Sequence, residues 1–395
     1  MDEANLLGSR SLGQSPDCQI SSEGGTDSEI GGSECERDSI TSQLARKEKY
    51  SDEALEESQA KPWFVGPVLL FAVLAVSSAG AVTKSMVGVA PITNAGWRLQ
   101  VTSIILLPGF LWQWLRLPRA TRERTKESTN LTILAFSGVA LALHFGLWVW
   151  SLDHTSLAHS LLFVSTPPIV LAVLACLQGQ PLSRGELNGV ALGMVGVLVI
   201  AAGSRVENDN DVTLLGDFGA FAAAIAFVVY ISAGQHLRGW MPLYVYAFPV
   251  TSVAALLLAL GGIGLEGLEK SSTGEICGPF GWVRKEYWLP TLYLALGPGF
   301  VGHTGLNAVL RYLSSLIIAM AITLEPPLGT ALGWLLGVSS APGIWTCVGG
   351  VVLLLGTLWV NYSSEQRKIK SSSKASTVGA DNVPEDEGTD LLLDP

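Results

Sequence analysis

The chain has 395 residues, 49% of them apolar and only 15% charged, with a mean hydropathy of +0.40. Length alone suits two or three soluble domains, but this composition, with 43 glycines, is that of an all-α polytopic membrane protein whose small residues let helices approach closely. The net charge of −10 lies mostly in the two tails and offers no basic patch, which excludes a nucleic-acid partner.

Residues 1–62 are rich in Ser, Gly, Glu and Asp. Such a segment cannot bury enough apolar area to offset its chain entropy, so it reads as a disordered acidic tail. It has no apolar core of a cleavable signal, which leaves the first span as the targeting signal. Lys61, Pro62 and Trp63 mark the membrane edge. Apolar segments long enough to cross a bilayer then recur at 64–83, 93–115, 131–151, 156–178, 185–203, 214–236, 242–264, 289–311, 315–337 and 343–362. These are ten expected spans in the lipid bilayer. Asp153, His154 and Thr155 form a tight turn between the third and fourth. Residues 363–395 return to polar, acidic composition and read as a second disordered tail.

Loop charge sets orientation. Arg116, Arg119, Arg122, Arg124 and Lys126 fall in one loop, and Arg184, Arg238, Arg311 and the Arg367–Lys374 cluster fall on the same side. The acidic run Glu207, Asp209, Asp211 falls opposite, so both termini are expected in the cytoplasm. The membrane itself, plasma or endosomal and vacuolar, is left open. Of the cysteines, Cys18 and Cys35 lie in the first tail, Cys277 in a loop, and Cys176 and Cys347 in apolar segments. They make no disulfide framework and have no metal-ligand spacing, and no cofactor is expected.

One stretch occurs twice. His144, Gly146, Leu147, Ser156, Leu157, Pro167 and Pro168 are matched without a gap by His303, Gly305, Leu306, Ser315, Leu316, Pro326 and Pro327. Gly189 and Gly196 are matched by Gly349 and Gly356 at an offset one residue longer. The matching implies two five-helix repeats, at 63–204 and 213–362. Five is odd, so the second repeat enters from the opposite side of the membrane, as in many secondary transporters. Pro167, Pro168, Pro326 and Pro327 fall at mid-membrane, where they are expected to kink helices that line a cavity.

These residues resemble the EamA-type drug/metabolite transporter superfamily. The likeness rests on Pro91 and Arg98 in the second span, the turn Ser151–Ser156, Pro167, Glu325-Pro326, and Gly216-Asp217 followed by Tyr230. It covers about 64–362. The Gly-Glu that commonly ends the family's fourth and ninth helices is replaced by Gly179-Gln180 and Gly337-Val338. The resemblance implies a ten-helix solute carrier with a cavity lined by helices one, three, four, six, eight and nine.

Ionisable residues at membrane depth are costly and tend to be functional. Glu325 stands out as a proton or cation site, and its counterpart in the first half is Thr166. His144 and His303 occupy equivalent places and suit proton relay, as does His159; each has packing as its plainer reading. Arg98 and Lys84 either meet an anionic substrate or snorkel to the interface, with snorkelling favoured. Trp148, Tyr230 and Asn307 are candidates for lining the cavity. The tail sequences Asp2–Leu7 and Glu387–Leu392 have the acidic dileucine form read by clathrin adaptors. The expected function is alternating-access transport of a small organic metabolite, proton-coupled or by exchange. A membrane-embedded enzyme and a non-transporting scaffold or receptor are the rivals; no catalytic cluster and no phosphate-binding loop favours either an enzyme or an ATP-driven pump.

Overall fold

A computed structural model describes residues 62–179, 182–206, 212–267 and 278–380. The first tail with Cys18, Cys35 and Asp2–Leu7, the acidic run at 207–211, Gln180, Cys277 and Glu387–Leu392 lie outside the described residues.

Among the described residues the chain is helical throughout, with no strand. Helices α1 (Val65–Ser77) and α2 (Ala79–Ser85) lead to α3 (Pro91–Arg116) and a short polar α4 (Arg119–Lys126). Next come α5 (Ser128–His154), α6 (Leu157–Val164), α7 (Pro167–Leu177) and α8 (Arg184–Val206). The second half holds α9 (Leu214–Arg238), α10 (Leu243–Gly261), α11 (Trp288–Leu294), α12 (Gly305–Val309), α13 (Ser315–Ile322), α14 (Glu325–Leu335) and α15 (Ile344–Ala380). Six stretches are long and apolar enough to cross a membrane: Val65–Ser85, Ser128–His154, Leu157–Leu177, Leu214–Arg238, Leu243–Glu266 and Ile344–Ser364. The other expected spans correspond to α3, α8, the run from α11 to α12, and the pair α13–α14.

Local chemistry sets the helix ends. Ser156 caps α6 by accepting from the His159 backbone N–H, and Thr213 caps α9 by accepting from that of Gly216. Ser183 and Glu186 form a reciprocal capping box at the start of α8. The α3 N-terminus is capped from a distance: the Ile92 and Thr93 N–H groups donate to the Glu266 carboxylate at 2.6 and 2.9 Å.

The proline pairs do not kink continuous helices. Pro167 and Pro168 open α7 after a break at Ser165–Thr166, and Pro326 and Pro327 lie in the first turn of α14 after a break at Thr323–Leu324. Proline suits a first turn because the N–H it lacks has no partner there. Between α11 and α12 the helix widens to π geometry over Ala295–Thr304, which contains Pro298. Helix α15 runs on through residues 363–380, which composition reads as tail. Its extension is tied down where Ser364 Oγ bonds Glu186 and Arg367 reaches the same carboxylate at 3.1 Å.

The closest helix pair is α8 with α15. A Cβ added at Gly189 would lie 2.7 Å from the Val360 backbone and 2.9 Å from Gly356 O; one at Gly196 would lie 2.5 Å from the Leu353 backbone and 2.8 Å from Gly349 O. Residue numbers rise along one helix as they fall along the other, so the pair is antiparallel. Elsewhere α9 packs on α5, and α10 on α3 and α5. The outward faces carry Phe71, Ile104, Phe136, Leu198, Phe218 and Leu256, all exposed. So much contiguous apolar surface suits lipid, not water.

Candidate functional site

The doubled stretch delivers its histidines to one place. His144 on α5 and His303 on the π-helical stretch have ring centroids 5.9 Å apart, and Phe145 and Phe227 pack against His303 at 4.9 and 6.3 Å. These rings line a small cavity of about 30 Å³, together with Arg98, Trp148 and Glu325. Five expected site residues, Arg98, His144, Trp148, His303 and Glu325, therefore come together from α3, α5, the π-helical stretch and α14.

Their surroundings differ. His144 Nδ1 lies 3.0 Å from the Ala223 carbonyl, so its N–H donates there, and the ring is tied to α9. His303 Nδ1 and Trp148 Nε1 are buried with no hydrogen-bond partner among the described residues. Arg98 does not snorkel: it is 2% exposed, and its guanidinium lies 4.4 Å over the Phe145 ring. Its Nε, Nη1 and Nη2 are also buried without hydrogen-bond partners among the described residues. The sequence could not show this, because an arginine near a helix end reaches either the interface or the interior by the same stem.

Glu325 opens α14, where the helix dipole favours a negative charge, although Pro326 and Pro327 behind it carry no N–H to donate. Thr166 holds the equivalent break in the first half and is satisfied locally, its Oγ1 donating to the Phe163 carbonyl at 2.8 Å.

Four candidates lie elsewhere. Asn307 donates its side-chain amide to the Tyr230 hydroxyl, and the pair stands behind His303, whose ring is 6.3 Å from that of Tyr230. Lys84 Nζ donates to the Leu152 carbonyl at 3.2 Å. His159 belongs to a separate buried network: its Nδ1–H donates to Asp217 at 3.1 Å, its Nε2 lies 3.1 Å from Thr346 Oγ1, and Thr155 Oγ1 donates to Asp217 at 2.6 Å. Asp217 was noticed in sequence only through the Gly-Asp resemblance. Its partners are 58 and 62 positions away in the chain, and nothing local signals them. Glu266 has no local signal for its role at α3, 174 positions away, whereas Glu186 has one in its capping box with Ser183 but none for its bond to Ser364.

The model of the EamA-like transporter family matches residues 65–202. Protein RarD from Streptomyces exfoliatus is 28% identical over 108 residues, a match that covers 27% of this chain and about a third (32%) of that relative's length. A crystal structure of another protein superposes with a TM-score of 0.53 and 18% identity, covering 78% of this chain and 99% of that one. That likeness concerns the fold alone.

Proposed function

We propose that this chain, a member of the EamA/drug–metabolite transporter superfamily, moves a small organic solute across a bilayer by alternating access. The observation that carries the reading is the small cavity at which the matched histidines of the two halves meet beside a buried cation and a carboxylate. Charged groups held at membrane depth mark substrate or ion pathways. At about 30 Å³ the cavity holds little more than a water molecule, far less than a metabolite. The space must therefore widen to admit a metabolite, and transport requires the walls to part toward one face and then the other.

Ten spans in two inverted five-helix repeats account for the architecture. The antiparallel α8–α15 pair supports this: Gly189 meets Gly356 and Gly196 meets Gly349, while Gly189 is equivalent to Gly349 and Gly196 to Gly356. Each glycine thus faces the counterpart of the other, which is the contact pattern of a two-fold axis. Both tails are cytoplasmic in this reading, and Glu325 couples transport to protons.

Counterflow into proteoliposomes tests the function. Vesicles preloaded with a mixed metabolite extract should take up at least one labelled member of the same mixture saturably. Uptake no greater than in protein-free vesicles, across the mixture, contradicts the proposal.

A further inference from the structure

The cavity contains an unsatisfied requirement. A guanidinium carries donors on all its nitrogens and stays charged under all ordinary conditions. In Arg98 all three nitrogens are buried and without hydrogen-bond partners among the described residues. Its one close neighbour on a flat face is the Phe145 ring at 4.4 Å, which stabilises the cation but accepts no hydrogen bond in the guanidinium plane. A buried unpaired charge of this kind is costly unless a partner arrives.

Resting on the carrier reading above, we propose that Arg98 is the recognition residue for an organic monoanion, a carboxylate on a planar apolar body, which the chain transports. Three features restrict the ligand. A carboxylate matches the guanidinium fork with two parallel hydrogen bonds. Among the described residues Arg98 is the only arginine or lysine lining the cavity, and that single cation matches a carboxylate monoanion but not a phosphate dianion. The remaining wall is apolar or aromatic, with Val76, Phe145, Trp148, Phe227, Leu306 and Ile322, which suits a flat apolar body. Trp148 Nε1 and His303 Nδ1 supply further unclaimed nitrogens in the same wall region. Glu325 is the competing internal anion, and the ligand must displace its influence on Arg98.

The test uses the purified full-length chain in detergent micelles and three acids, benzoate, phenylacetate and 3-phenylpropionate, each against its primary amide. Thermal stabilisation of the wild type by at least one acid, with none from the matching amide, is expected. Arg98→Gln should weaken the effective acid by about thirtyfold or more, and Arg98→Lys should lose less than Arg98→Gln. Equal stabilisation by acid and amide, or by none of the acids, overturns the proposal without any variant having to fold. Undiminished acid binding by a folded Arg98→Gln chain overturns it as well. Counterflow separates the two levels: saturable exchange restricted to uncharged or cationic solutes would leave the carrier standing and remove the anion site.

Discussion

Glu325 and Thr166 occupy matching places after the two helix breaks, yet one is ionisable and turned to the central cavity while the other is satisfied within its own turn. The asymmetry was readable in the sequence, because aligning the copies sets the two residues side by side. If Glu325 carries protons, Glu325→Gln should abolish accumulation driven by a pH gradient while exchange persists; gradient-driven uptake at the wild-type level contradicts that role. The matched histidines are equally legible, but that their rings lie 5.9 Å apart is shown only by the packing. Arg98 was visible as a charge, but its burial was not, since side-chain reach decides between interface and interior. His159 lies outside the central cavity, and a buried histidine reads the same in sequence whether it lines a cavity or pairs with an acid. Its partner Asp217 is needed by Thr155 and His159 together. Asp217→Ala strands both, which costs about 3 kcal/mol and should lower the thermal unfolding midpoint in detergent. An unchanged midpoint contradicts the network's structural role.

At the scale of elements, spacing and hydropathy located the helical segments but not the interruptions within them, and the turn expected at Asp153–Thr155 falls at Thr155–Ser156, because α5 continues through His154. Proline is ambiguous in sequence, because it kinks a helix from inside and begins one equally well. Here the pairs begin helices, so each of the fourth and ninth segments is two shorter helices, α6–α7 and α13–α14, joined at a break. The widening at Ala295–Thr304 had no clear sequence signal beyond Pro298. The glycine matches carried more than composition suggested: Gly189, Gly196, Gly349 and Gly356 are where α8 and α15 touch backbone to backbone. Gly196→Ala would force a Cβ to within 2.5 Å of the Leu353 backbone and should destabilise by about 1–3 kcal/mol. Gly66→Ala, with nothing within 4 Å of the added carbon, should be neutral by the same thermal assay. Equal midpoints for the two variants contradict the close packing of this pair.

For the molecule as a whole, a doubled stretch of sequence brings matched histidines to one charged cavity. Membrane character is legible because the apolar residues are gathered into long, nearly uncharged runs. The assembly of Arg98, His144, Trp148, His303 and Glu325 around one space depends on packing between segments distant in the chain, which hydropathy does not encode. Alternating access is the central claim, and the accessibility of the cavity wall tests it most directly. In a cysteine-free background, Leu306→Cys places a single thiol on that wall, and the protein can be reconstituted in one orientation. A membrane-impermeant maleimide should label it when added to either face alone, because the cavity opens to each in turn. Labelling from one face only, however long the exposure, would contradict the account.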